Sequence, residues 1–191
     1  VSKAKKGSKF ERDTCRTLSL WWTGGERDDV FWRTGGSGGR AKLRGRRGVS
    51  TYGQHGDIAA TDPIGDPLID VFTIELKRGY SKHTIQDLLD KPRKGARPKV
   101  QEWIDQAIES WEQAGSFTWL LIFRRDKREA LVIFPTSITR RFWSEGTYVP
   151  GSATLRLDAN NRHHDRLTVM SLADFLALVK PRIVIARSLD S

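Results

Sequence analysis

The seven residues from Val71 to Lys77, VFTIELK, narrow the folds open to this chain more than any other stretch. Apolar residues recur at every second position among β-branched and aromatic neighbours, so the segment reads as the end of a strand predicted from Leu68 to Lys77. Side chains alternate across a strand, which sets Phe72, Ile74 and Leu76 on one face and Val71, Thr73, Glu75 and Lys77 on the other. An acid and a base therefore project together, about 7 Å apart along the strand. Upstream, HGDIAA places Asp57 at the head of a strand predicted over 57–61, with Gly56 leaving open space beside it. The intervening TDPIGDP reads as a turn, so the two strands form a predicted hairpin in which Asp57 and Glu75 converge.

Two carboxylates that close repel and raise one another's pKa unless a cation sits between them. Oxygen ligands of this kind suit Mg²⁺, which keeps several waters and leans on substrate phosphates for the rest of its shell. Asp…Glu-x-Lys on adjacent strands is what metal-assisted phosphodiester hydrolysis requires, with the lysine orienting water and balancing the negative transition state. The same Glu-x-Lys also occurs in solvent-facing strands as a simple ion pair. Apolar residues flanking both acids, and the charge of the chain, favour the metal reading.

That charge is +10, from 33 Lys+Arg against 23 Asp+Glu. Residues 1–50 hold thirteen Lys/Arg against five Asp/Glu, which accounts for +8 of it. Two tracts, RAKLRGRR (40–47) and KPRKGARPK (91–99), each carry five cations and no acid. Gly and Pro make both read as loops. Clustered cations on loops are the electrostatic footprint of a polyanion, nucleic acid first, since neutralising phosphates releases condensed counterions. A chain of 191 residues is expected to form one domain with its own core, without disulfide or metal staples. The longest apolar run, Trp119 to Phe123, is far too short for a membrane span. A lone cysteine, Cys15, points to a reducing compartment, and VSKAKKGSK lacks the apolar core of a signal peptide, so a cytoplasmic rather than secreted protein is expected.

Elsewhere the periodicities are plain. Phe10, Thr14, Leu18 and Trp21 predict an amphipathic helix over 8–22, capped by Ser8 and ended by Gly24 and Gly25. Val30 to Arg33 is a short predicted strand, followed by a Gly-rich insertion (34–54) with no apolar period. Ile104, Ala107, Ile108 and Trp111 predict a helix over 98–114 closed by Gly115. Strands are predicted over 117–124 and 130–134 around a turn at 125–129, then a strand over 167–170 and a helix over 172–179 closed by Pro181. Trp22 and Trp143 are the tryptophans expected to be exposed enough to stack on bases.

Gly56-Asp57 and Glu75-Leu76-Lys77, taken together, resemble the signature of the PD-(D/E)xK nuclease superfamily, most closely archaeal-type Holliday junction resolvases and related phage nucleases. The resemblance runs from about Gly7 to Phe134. It extends to Phe10-Glu11-Arg12 on the first helix and to Arg33 with Ser37 and Gly38, similar to the family's Arg…Ser-Gly segment. Gly56 replaces the proline of the superfamily's name, and the 46-residue step from Glu11 to Asp57 is long for resolvases. The resemblance implies an α/β, restriction-endonuclease-like fold: a mixed central sheet flanked by helices, with a core over about 7–134 and a C-terminal extension over 135–191. It implies a DNA endonuclease of a bacterial, archaeal or phage-infected cell, often a homodimer acting on branched DNA in recombination, with Mg²⁺ as cofactor and Mn²⁺ as substitute. Carried over by residue, Asp57, Glu75 and the backbone carbonyl of Leu76 bind metal, Lys77 activates water, and Glu11 holds metal or its water. Arg12, Arg33, Ser37, Arg40, Lys42, Arg44, Arg46 and Arg47 are the expected DNA contacts, and Gln106 is a further candidate on the helix after the lysine strand.

Other chemistries fit less well. The TGGSGG segment can lay backbone N–H groups against phosphate, but it lacks the GK[ST] of a Walker loop and the strand-to-helix setting of a dinucleotide fingerprint. His55, His83, His163 and His164 lack the spacing and partners of a zinc site, and Cys15 lacks the partners of a nucleophile. A noncatalytic DNA-binding protein is the main rival, and the intact Asp57, Glu75 and Lys77 argue against it. An RNA-binding accessory protein would need aromatics exposed on a sheet face, and here they sit among apolar neighbours.

Overall fold

The computed structural model describes residues 3–34, 56–79, 82–90, 97–143, 151–156 and 166–189. The helix predicted over 8–22 is longer, α1 running Lys3–Trp22, so Ser8 lies inside it rather than capping it. Its apolar stripe buries Phe10, Thr14, Cys15, Leu18 and Trp22. Short strands β1 (Phe31–Arg33) and β2 (Ile58–Ala60) follow. The predicted turn is in fact helical: a 3₁₀ turn at Pro63–Gly65 leads into α2 (Asp66–Val71), and β3 begins only at Phe72 and ends at Arg78. Asp62 caps that turn by accepting the Ile64 N–H, and prolines at the first positions cost these short helices nothing.

The predicted hairpin between β2 and β3 is not formed. β2 pairs antiparallel with β1 as a two-stranded sheet, while β3 heads a five-stranded sheet of order β3-β4-β5-β7-β6. β3 and β4 (Thr118–Arg124) are parallel and are connected through α3 (Lys99–Ala114). Parallel neighbours need such a crossover. α3 ends where Gly115 takes a left-handed φ of +72° and donates its N–H to the Trp111 carbonyl. β5 (Ala130–Pro135), β7 (Arg166–Ser171) and β6 (Ala153–Arg156) add on antiparallel. A one-turn helix α4 (Thr139–Phe142) follows β5, and α5 (Leu172–Leu178) follows β7. α5 ends at Leu178, ahead of Pro181, as expected for the helix over 172–179, and Pro181 has a second role. It opens a further helix, α6 (Pro181–Ser188), at a position where its missing N–H has no partner to lose.

Alternation along β3 and β4 divides the interior in two. Phe72, Ile74, Leu76, Leu120 and Ile122 pack with α1, α2, α5 and α6. Leu121, Phe123, Ile133 and Val169 pack on the opposite face against Val100, Trp103, Ile104, Ala107 and Ile108 of α3. The result is a mixed five-stranded sheet flanked by helices, a restriction-endonuclease-like α/β fold. Among the described residues no helix is long and apolar enough to cross a membrane.

Candidate active site

Without a hairpin, Asp57 still comes near enough for its charge to act on Glu75. Asp57, just before β2, donates its N–H to the Ile74 carbonyl at 2.8 Å, and its Oδ2 accepts the Leu76 N–H at 2.8 Å. Asp57 thus occupies the edge of β3 that β4 leaves free. One strand residue's N–H and C=O point to the same edge, so the Leu76 carbonyl faces Asp57 as well. The other end of this segment is held by β1, where the Thr34 N–H donates to the Asp57 carbonyl and the Thr34 hydroxyl to the Gly56 carbonyl.

Gly56 has the opposite role to the one its size suggests. It leaves no open space. Its φ is +86°, and a Cβ there would lie 2.8 Å from the Ile74 carbonyl oxygen. Only glycine lets the chain press against β3 closely enough for Asp57 to reach Leu76.

Glu75 points to the α3 side with Lys77, as alternation predicts. Its carboxylate is 4% exposed and lies 2.5 Å from Lys77 Nζ, with a further hydrogen bond from Ser110 of α3. Burial, and then the neighbouring Asp57, push the Glu75 pKa up to about 7 in spite of Lys77 and Ser110. The pair of acids is short of positive charge.

Glu11 stands apart from this pair. Arg33 bonds its Oε2 at 3.1 Å, and Arg33 and Arg12 both donate to the Ser8 hydroxyl, at 2.9 and 2.7 Å. Ser8, Glu11, Arg12 and Arg33 therefore form one cluster along the N-terminal half of α1. Cys15 links the two groups. Its thiol is pushed up to about 12 by burial first, then by the charge of Glu11, with Arg33 and Asp57 also acting on it. Among the described residues no three His, Cys, Asp or Glu side chains come close enough to share a metal ion. A divalent ion here would thus have two carboxylates and the Leu76 carbonyl from the protein. An all-oxygen set of low number suits Mg²⁺, which retains waters, and the unmet negative charge at Glu75 is what a cation would relieve. The residues fit such an ion.

Residues 2–185 match the family model described as "Phage putative PDDEXK endonuclease". The chain belongs to that family. No curated protein and no solved structure matches it. Membership in it makes the chain an endonuclease of the PD-(D/E)xK superfamily.

The remaining expectations divide. Gln106 is half-buried on α3, one turn before Ser110, on the side of the helix that faces Glu75. Ser110 was not legible beforehand. Its only signal is the four-residue spacing from Gln106. Trp22 is buried, donating to the Ile64 carbonyl, and Trp143 is half-buried with its ring edge-on to Phe134, so neither is the exposed stacking residue expected; the exposed tryptophan is Trp32 on β1, at 49%. His83 packs edge-on against Trp103. Ser37, Arg40, Lys42, Arg44, Arg46 and Arg47, with His55, His163 and His164, lie outside the described residues.

Proposed function

We propose that this nuclease hydrolyses DNA phosphodiester bonds with Mg²⁺ held by Asp57, Glu75 and the Leu76 carbonyl. The observation that carries the reading is Glu75, buried beside Asp57 with its pKa raised to about 7, although Lys77 lies 2.5 Å from it. A fold does not bury two acids together without a reason, because the ionised form is costly there. A divalent cation, when bound, supplies charge to the phosphoryl oxygen and makes water a better nucleophile at neutral pH.

The chain's own residues prepare the rest. The Leu76 N–H fixes Asp57 Oδ2, and the Gly56 contact with β3 fixes the Asp57 backbone, so the acid is set before substrate arrives. Lys77, 18% exposed, provides a positive charge that orients the attacking water and offsets the pentacovalent phosphorane's growing negative charge. Glu11 supports that water from the α1 side, while Arg33 and Arg12, gathered at Ser8, present guanidinium groups to neighbouring phosphates. Gln106 sits beside Ser110 as a further polar contact. The basic loop residues Arg40, Lys42, Arg44, Arg46 and Arg47, with Ser37, extend the phosphate contacts.

Within this reading the preferred substrate is branched DNA worked by a homodimer, and the support is the resemblance of Phe10-Glu11-Arg12 and Arg33 to junction-resolving relatives. A cleavage panel of four-way junction, flap, single-stranded and linear duplex DNA, with Mg²⁺ and with chelator, tests it. The junction should be cut first, and only with metal. Equal rates on junction and duplex would make this a general duplex nuclease. Binding without cleavage of any member would make it a noncatalytic DNA-binding protein.

A further inference from the structure

We propose that the concavity beside the β4–β5 turn is a subsite for one base of the DNA strand being cut, a base with an exocyclic amine. The inference rests on the nuclease reading above and deepens it. The cavity, about 300 Å³, is lined by Phe123, Arg125, Arg128, Glu129 and Leu131. Register places it beside the catalytic strand. Phe123 pairs with Lys77 across the parallel β3–β4 ladder, and Leu131 pairs with Phe123 across β4–β5. Paired residues share a face, so the cavity opens on the Glu75 and Lys77 side of the sheet, one strand spacing of about 5 Å away.

The turn that forms its rim is fastened to β3. Arg78, next to Lys77, donates to the Arg124 carbonyl at 2.9 Å and to Asp126 at 2.6 Å, and the Gly79 N–H also reaches the Arg124 carbonyl. Arg124 in turn donates from Nε to the Arg128 carbonyl. Within the turn Lys127 has a φ of +57°, a conformation uncommon for a residue other than glycine. The rim is therefore pre-set relative to Lys77.

The lining has the chemistry of a nucleobase. Phe123 and Leu131 give an apolar floor, and guanidinium planes stack on base faces while drawing in phosphate. Glu129 is an acceptor, and the exocyclic amine of cytosine is the donor a carboxylate selects. A phosphate alone would have no use for the floor, and it would be repelled by Glu129. A strand leaving the cut site at Lys77 meets this cavity within a nucleotide's reach.

The test scans a single abasic residue through positions flanking the cut, in the full chain and in Arg128→Ala and Glu129→Gln. Cleavage gives KM and kcat, and anisotropy on the same strands in chelator gives Kd. One abasic position should raise KM and Kd about five- to hundredfold in the wild type. Arg128→Ala should raise both similarly with kcat kept, and the same abasic position should then cost nothing more. Glu129→Gln should weaken discrimination between cytosine and thymine at that position. Binding indifferent to every abasic position, or an abasic penalty undiminished in Arg128→Ala, would overturn the subsite. Because Kd is read without metal, a chain that failed to cut DNA would sink the nuclease reading while this result still stood on its own.

Discussion

Two acid–base pairs in this molecule differ in their surroundings. Glu75 and Lys77 are 2.5 Å apart with side chains 4% and 18% exposed, whereas Glu11 and Arg33 are 3.1 Å apart and 31% and 40% exposed. The inner pair is the shorter, yet the pKa of Glu75 is raised to about 7. Distance alone does not decide how well a charge is satisfied. Glu75 has lost its water and gained Asp57 as a neighbour, and one lysine cannot offset both. Glu11 keeps its solvent, so its arginine contact fixes geometry without a large energy at stake. On the reading proposed above, the inner pair would take up a cation and the outer pair would support it.

The largest effect expected follows from removing an inner acid. Asp57→Ala or Glu75→Ala should lower cleavage by about 10³-fold or more while DNA affinity stays within a few-fold, read by plasmid nicking and by anisotropy. A variant of either acid with wild-type cleavage would erase the distinction between the pairs.

Next comes the pH dependence of stability in chelator. Folding holds the Glu75 proton more tightly than the unfolded chain does, so stability should fall as pH rises from about 4.5, the unperturbed value, to about 7. The loss is on the order of 3 kcal/mol, and urea unfolding at a series of pH values should show it. Glu75→Gln should flatten that slope and leave the inactive protein more stable than wild type at pH 8. A slope unchanged by Glu75→Gln would mean that another group titrates there.

Gly56→Ala should cost about 1–3 kcal/mol, since it combines a positive φ with a contact on the β3 backbone. It should lower cleavage as well, by shifting Asp57. The smallest change is expected at the outer pair, where Glu11→Gln should reduce activity by about 10- to 100-fold with stability nearly unchanged. If Glu11→Gln proved as damaging as Glu75→Ala, the outer acid would have to be counted with the inner ones.

Much of this arrangement was legible before the fold was known, and the reasons for the rest are physical. The face shared by Glu75 and Lys77 follows from strand alternation, and α3 follows from a strict apolar period. The predicted β2–β3 hairpin failed because TDPIGDP carries helix-start residues as well as turn residues: Asp62 caps, and Pro63 and Pro67 start helices. Asp57 still comes near enough for its charge to act on Glu75, because two hydrogen bonds to the edge of β3, and not strand pairing, hold it there. The helix over 172–179 ends ahead of Pro181 as expected, but the same proline also starts the next helix, which no apolar period announces. Gly56 was read from its smallness as making room, whereas the missing Cβ is filled by backbone. The one-turn spacing from Gln106 does not by itself single out Ser110, because a helix serine acquires meaning only from the strand beneath it.

Titration of Mn²⁺ into the metal-free protein, followed by electron paramagnetic resonance and repeated for Asp57→Asn and Glu75→Gln, tests the central claim most directly. A bound-ion signal in the wild type that disappears in both variants, while Glu11→Gln only weakens it, is the expected result. Binding that survives the loss of either inner acid would contradict the account.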